Sequence, residues 1–276
     1  MFDDILRQFP GYQIIKTGGQ KTVYKINHNK YGDVVLKIGY LNSSTKIDRI
    51  SREVRILEDI DSYYYPKQYE FYLHTNDIFV IIEEYILSRS LSSCMSEINS
   101  ANDVVDLLYY LIIALDILWM RNIIHRDIKP DNILIRPNGI PVIIDLGIAR
   151  LLDLDSLTKS LAARGPCTPI YASPEQLWNR KSYISHRTDQ FCIGIVIAQL
   201  LLNGKHPFDP KIVGEGDNIV ENILNDKYAK KILSSKVNNI LFNILSRLLK
   251  HEPYERYPDR QDILNDILTF KELSNV

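Results

Sequence analysis

The chain has 276 residues, enough to bury a sizeable core as one large domain or two lobes. Hydrophobic residues make up 45% and charged residues 24%, ordinary for a globular protein, and 33 Lys+Arg against 34 Asp+Glu leave a net charge of -1. That balance excludes a global field drawing the chain to nucleic acid or an anionic membrane, so electrostatic effects must be local.

The N-terminus, Met1-Phe2-Asp3-Asp4, is acidic where a secretory signal would be basic, and no apolar core follows it. Three β-branched segments come next, at 13–16, 22–26 and 34–38, separated by Gly18-Gly19 and by the turn-forming run Asn29-Lys30-Tyr31-Gly32-Asp33. They predict an antiparallel meander. Ile47, Ile50, Val54 and Leu57 then recur at spacings of three and four, which predicts a helix over 46–60. Two more strands are expected at about 68–73 and 78–82, ahead of Glu84-Tyr85-Ile86.

Beyond about residue 100 the pattern is mostly helical, with Asn102 or Asp103 as the N-cap of a long helix running through Met120. The apolar runs 107–120 and 191–202 read as buried helices. Asp116 interrupts the first, and the second falls short of the ~18 residues needed to span a bilayer, so no membrane segment is expected. Cys94, Cys167 and Cys192 lie far apart and match no metal or disulfide spacing, which suits structural thiols in a reducing, cytoplasmic setting. Strands first and helices second imply an α+β pair of lobes with a cleft between them.

The most informative stretch is His125-Arg126-Asp127-Ile128-Lys129-Pro130-Asp131-Asn132, with Asp145-Leu146-Gly147 beginning thirteen residues after Asn132. It combines a candidate base, cations and hard oxygen ligands, the mixture that phosphoryl transfer requires. These residues resemble the catalytic and metal-binding loops of a protein kinase, and further motifs fall in the family's order. Val35-Leu36-Lys37 resembles the strand carrying the ATP-orienting lysine. Glu53 shares the inward face of the expected helix with Ile50 and Leu57, where the family places that lysine's glutamate partner.

The segment Thr168-Pro169-Ile170-Tyr171-Ala172-Ser173-Pro174-Glu175 resembles the end of an activation loop, with Ser173 where alanine is common. Arg256 stands where the family has the arginine that pairs with that glutamate. Asp189, opening the apolar helix, matches the aspartate that caps the catalytic-loop backbone. The resemblance runs from about residue 12 to 260 and implies a two-lobed kinase fold in a single domain over 1–276. Its small antiparallel N-lobe, with one helix, would cover about 1–83, the hinge 84–87, and the larger helical C-lobe about 88–276.

The resemblance also implies the roles. Asp127 aligns the substrate hydroxyl and accepts its proton. Lys129 lies near the transferred phosphate, Lys37 meets the α- and β-phosphates, and Asn132 and Asp145 hold Mg²⁺. Adenine bonds to the backbone around Glu84 and Ile86, with Val23, Val35 and Leu134 as apolar walls. His125 is a packed structural residue. Arg126 receives a phosphorylated activation loop through its guanidinium, with Thr158 and Ser160 favoured as the phosphorylated residues and Thr168 kept for contacts to Asp127 and Lys129. Lys129 two residues after Asp127, together with Thr168, points to serine/threonine as acceptor, and Asp-Leu-Gly-Ile-Ala-Arg at 145–150 is similar to bacterial kinases of the eukaryotic-like type.

Two departures stand out. Aligning Val23 with the family's valine places Lys16, Gly18 and Lys21 at the three phosphate-loop glycines, with Gly19 extra, so Lys21 is expected to bring charge near the phosphates. Glu83 replaces an apolar residue at the back of the adenine pocket and is expected only to narrow it. The reading is an ATP- and Mg²⁺-dependent protein serine/threonine kinase that phosphorylates its own activation loop. A small-molecule phosphotransferase would not be expected to carry Ser173-Pro174-Glu175 with Arg256, and a kinase-like binding module normally lacks the lysine, the base or a metal residue. Substrate, activating signal and oligomeric state are not written in the sequence.

Overall fold

The computed structural model describes residues 2–18, 21–40, 58, 60–75, 77–98, 100–146, 150–151 and 168–274. The chain divides into two compact units, Met1–Ser88 with Val142–Gly147, and Arg89–Pro141 with Ile148–Val276. The division assigns 142–147, with Asp145, to the first unit although its neighbours in sequence belong to the second.

The first unit opens with a helix that the sequence reading did not anticipate, α1 (Asp3–Leu6), whose Ile5 and Leu6 are buried. Strands β1 (Gln13–Thr17), β2 (Lys21–His28), β3 (Gly32–Tyr40), β4 (Gln68–Thr75) and β5 (Ile78–Glu84) form one sheet in the order β1-β2-β3-β5-β4. All the pairings are antiparallel. Gly32, at φ 72°, turns the chain between β2 and β3.

Alternation decides the two faces of this sheet. Tyr24, Ile26, Val34, Leu36, Ile38, Val80 and Ile82 point to one side and bury against Ile5 and Leu6 of α1. Each such side chain contributes about 1.5–3 kcal/mol by leaving water, which commits the register. Val23, Val35, Lys37, Ile81 and Glu83 are thereby turned to the other face. The expected helix over 46–60 lies outside the described residues except for 58 and 60.

The second unit begins with β6 (Arg89–Ser90) and α2 (Leu91–Cys94), followed by the long α3 (Ala101–Trp119). Helix α3 starts before the anticipated Asn102 or Asp103. Ser100 is the N-cap, accepting from the Asp103 N–H and donating to the Asp103 carboxylate. Short strands β7 (Ile123–Ile124), β8 (Ile133–Ile135) and β10 (Arg150–Leu151) follow, with β6 pairing β8 and β7 pairing β10, while β9 (Pro141–Ile143) runs into the 142–147 stretch of the first unit.

After α4 (Pro174–Leu177) comes α5 (His186–Leu201), buried along almost its whole length. It too begins earlier than the apolar run 191–202 suggests, because Ser185 and Thr188 form a capping box ahead of the apolar residues. Asp189 therefore sits in the first turn. Helices α6 (Pro210–Val213), α7 (Ile219–Leu224), α8 (Lys230–Lys236), α9 (Asn239–Leu248) and α10 (Arg260–Ser274) complete the unit. Helix α3 packs against α5 and α10, and α9 packs against α5. Among the described residues no helix is long and apolar enough to cross a membrane.

Candidate active site

In the second unit, the segment after β7 is shaped by a single buried carboxylate. Asp189 accepts from the backbone N–H of His125 at 3.0 Å, from that of Arg126 at 2.9 Å and from the Trp119 indole at 3.0 Å. Burial pushes its carboxyl up, and these donors with the nearby His125 act in the opposite direction. The bonds hold Arg126 in the left-handed region at φ 71°, a conformation costing roughly 1–2 kcal/mol for a residue with a Cβ. Gln176 closes the other side by donating to the Arg126 carbonyl at 2.8 Å. This fixed corner aims the next residue, Asp127.

Both Asp127 oxygens are engaged. Oδ2 accepts from Lys129 Nζ at 2.7 Å and from Asn132 Nδ2 at 3.0 Å. Oδ1 accepts from the Thr168 hydroxyl at 2.7 Å and from the Thr168 N–H at 3.2 Å, and Lys129 also donates to the Thr168 hydroxyl. Asn132 Nδ2 further donates to the Asp127 carbonyl at 2.9 Å, so this amide engages Asp127 twice through its nitrogen end. The constellation brings an ammonium, an amide and an aliphatic hydroxyl within hydrogen-bond distance of one carboxylate.

The end of this segment is anchored by Glu175 and Arg256, each 1% exposed and joined by bonds of 2.7 and 3.0 Å. Arg256 also donates to the carbonyls of Arg187, Lys250 and His251, and Thr188 donates to Glu175. Ion pair and network together satisfy charges that would otherwise be costly to bury. Leu134, in β8, is half-buried within this unit.

In the first unit, Asp145 follows β9 with φ 67°, and Lys21 donates to its Oδ1 at 3.0 Å. The lysine expected near the phosphates thus meets the residue expected to hold the metal. Val23 and Val35 are half-buried on the face that also carries Lys37, with Glu84 and Ile86 at and just beyond the end of β5. Gly18 precedes β2, and its N–H donates to the Lys21 carbonyl at 3.0 Å. Glu53, Gly19, Thr158 and Ser160 lie outside the described residues.

The expectation that Glu83 only narrows a pocket is corrected: its Oε2 lies 2.7 Å from Lys37 Nζ. The cause is register. Lys37 pairs Ile81 and Val35 pairs Glu83, so the two side chains are diagonal neighbours on one face, within reach of each other. The pairing escaped sequence reasoning because it depends on how two strands align, and that brings together residues more than forty positions apart in sequence. The same holds for the bond from Trp119 to Asp189 and that from Gln176 to the Arg126 carbonyl, which no local motif announces. A helix-terminal Trp and a capping-box Gln were the available signals.

Over residues 11–267 the chain matches the family described as protein kinase domain. It is 28% identical over 273 residues to serine/threonine-protein kinase PrkC of Bacillus subtilis, covering 94% of this chain and 40% of that protein. It is 27% identical over 286 residues to probable serine/threonine-protein kinase PknB of Lactococcus lactis, covering 94% and 42%. To serine/threonine-protein kinase PknA of Nostoc it is 30% identical over 229 residues, covering 79% and 37%. The chain spans about two fifths of the length of these relatives. With the match reaching across nearly the whole sequence and the sheet and helices arranged as the resemblance implied, the chain belongs to the protein kinase domain family.

Proposed function

We propose that the chain is a protein serine/threonine kinase that moves the γ-phosphoryl group of ATP to Ser or Thr hydroxyls. The observation that carries this is the Asp127 carboxylate, held by Lys129 and Asn132 and already accepting from an aliphatic hydroxyl, that of Thr168, at 2.7 Å. A substrate hydroxyl offers the same donor. Its oxygen attacks the γ-phosphorus while the bond to the β–γ bridging oxygen breaks. The hydroxyl proton passes to Asp127, and ADP leaves with the bridging oxygen. Lys129 and Lys37 place positive charge along the phosphate oxygens as negative charge shifts toward the leaving group.

Asp145 and Asn132 supply a carboxylate and an amide oxygen, hard donors that suit Mg²⁺, and the ammonium of Lys21 on Asp145 is consistent with a carboxylate that attracts cations. Held by these residues, Mg²⁺ would supply positive charge that offsets the charge of the phosphate groups. In this reading adenine packs on Val23 and Val35, with the backbone at Glu84 and Ile86 as its polar contact. The buried Glu175–Arg256 pair, which closes the segment after Thr168, favours a protein substrate over a small molecule. The buried free thiols of Cys94 and Cys192 support work in a reducing compartment, the cytoplasm.

Incubation with γ-labelled ATP, Mg²⁺ and a generic basic protein, followed by phosphoamino-acid analysis, tests the function. Label is expected on serine or threonine and is expected to vanish in Asp145→Asn and Asp127→Asn. Label only on small molecules, or none from the wild type, would refute it. Autophosphorylation is part of the proposal. Peptide mass spectrometry after ATP treatment is expected to find phosphate at Thr158 or Ser160, where the Arg126 guanidinium would receive it.

A further inference from the structure

Lys37 and Glu83 are withdrawn from water together, at 5% and 4% exposure, with 2.7 Å between Nζ and Oε2. A lone carboxylate at such burial is costly, and a compensating ammonium in contact removes most of that cost. Both residues lie on strands of one sheet, and the β3–β5 register places them diagonally on the face opposite the apolar core. Val35 stands directly opposite Glu83, and Ile81 directly opposite Lys37. These neighbours shield the pair and limit the directions the lysine stem can take. On the same face Lys21 engages Asp145, so a separate lysine–carboxylate contact exists at the expected metal ligand. Lys37 thus has a carboxylate partner built into the sheet and set by backbone register.

We propose that Glu83 is a positioning residue for Lys37, its carboxylate holding the ammonium in the orientation in which Lys37 meets the nucleotide phosphates. This deepens the kinase reading above and rests on it for the identity of the phosphates. Glu83 touches neither the phosphoryl group nor the acceptor. It acts through Lys37.

The test compares wild type with Glu83→Gln and Glu83→Asp by two readouts. In steady-state kinetics, Glu83→Gln is expected to lower kcat roughly 10- to 100-fold with a smaller change in KM for ATP, and Glu83→Asp to recover part of the loss. In ¹⁵N-lysine NMR, the slowly exchanging ammonium resonance assigned by its absence in Lys37→Met is expected in wild type and lost in Glu83→Gln. Thermal unfolding checks that the variants are folded. An unchanged ammonium resonance in Glu83→Gln, or a lost resonance with unchanged kcat, would overturn the positioning role. A wild type that transfers no phosphate while Glu83→Gln still loses the resonance would sink the kinase reading and leave the pairing supported.

Discussion

Glu175 and Arg256 form the most deeply buried ion pair described in the chain, and removing one partner strands the other charge away from water. Arg256→Met is therefore expected to cost about 3–5 kcal/mol in urea unfolding. Glu175→Met combined with Arg256→Met should cost less than the sum of the single changes, since neither charge is then left alone. Lys21 is a different case. It is partly exposed, so its contact with Asp145 contributes little to stability, and the proposed function gives it the role of placing charge near phosphate. Lys21→Met is expected to raise KM for ATP roughly fivefold, equivalent to about 1 kcal/mol, with kcat held within twofold. Unchanged KM would remove Lys21 from the nucleotide site.

At the level of elements, α5 illustrates how packing overrides propensity. Gly194 lies inside this helix, where alanine would normally gain about 1 kcal/mol. A Cβ at that position would stand 3.0 Å from Leu249 Cδ2 and 3.1 Å from Leu248 Cβ. The second atom belongs to a helix and cannot swing aside, and overpacking of this kind costs about 1–3 kcal/mol. Gly194→Ala is thus expected to destabilise by roughly 1 kcal/mol, read as a lower urea midpoint. A higher midpoint would mean that α5 and α9 separate more easily than their contact implies. The strands were legible because β-branched residues alternate with polar ones between clear turns. The helix starts were not, because Ser100 and Ser185 cap from outside the apolar periodicity that marks the helix bodies.

For the molecule as a whole, His206 couples folding to pH. Its Nδ1 accepts from the Phe208 N–H and its Nε2 faces the Ile170 carbonyl, an arrangement served by the neutral ring. Burial lowers its pKa from 6.5 to about 4. Between those values the unfolded chain binds the proton and the folded chain does not, so stability rises with pH across the window and is lost as pH falls through it. The contribution is on the order of 3 kcal/mol, present in full above pH 6.5. His206→Gln is expected to flatten the slope of unfolding free energy between pH 4 and 6.5 relative to wild type. Identical slopes would place the acid sensitivity elsewhere.

Local chemistry alone was enough to mark the strand-rich first part, the helical remainder and the linear run from His125 to Asn132, because turn residues, periodicity and short-range motif spacing are all written over a few consecutive residues. Asp127, Lys129 and Asn132 meet within six positions of chain, so their grouping follows from sequence proximity. What joins Asp189 to the backbone at 125 and 126, Gln176 to Arg126, and above all Glu83 to Lys37 is strand register and helix docking. Those contacts depend on which faces bury together, a property of the folded core that no short stretch of residues contains.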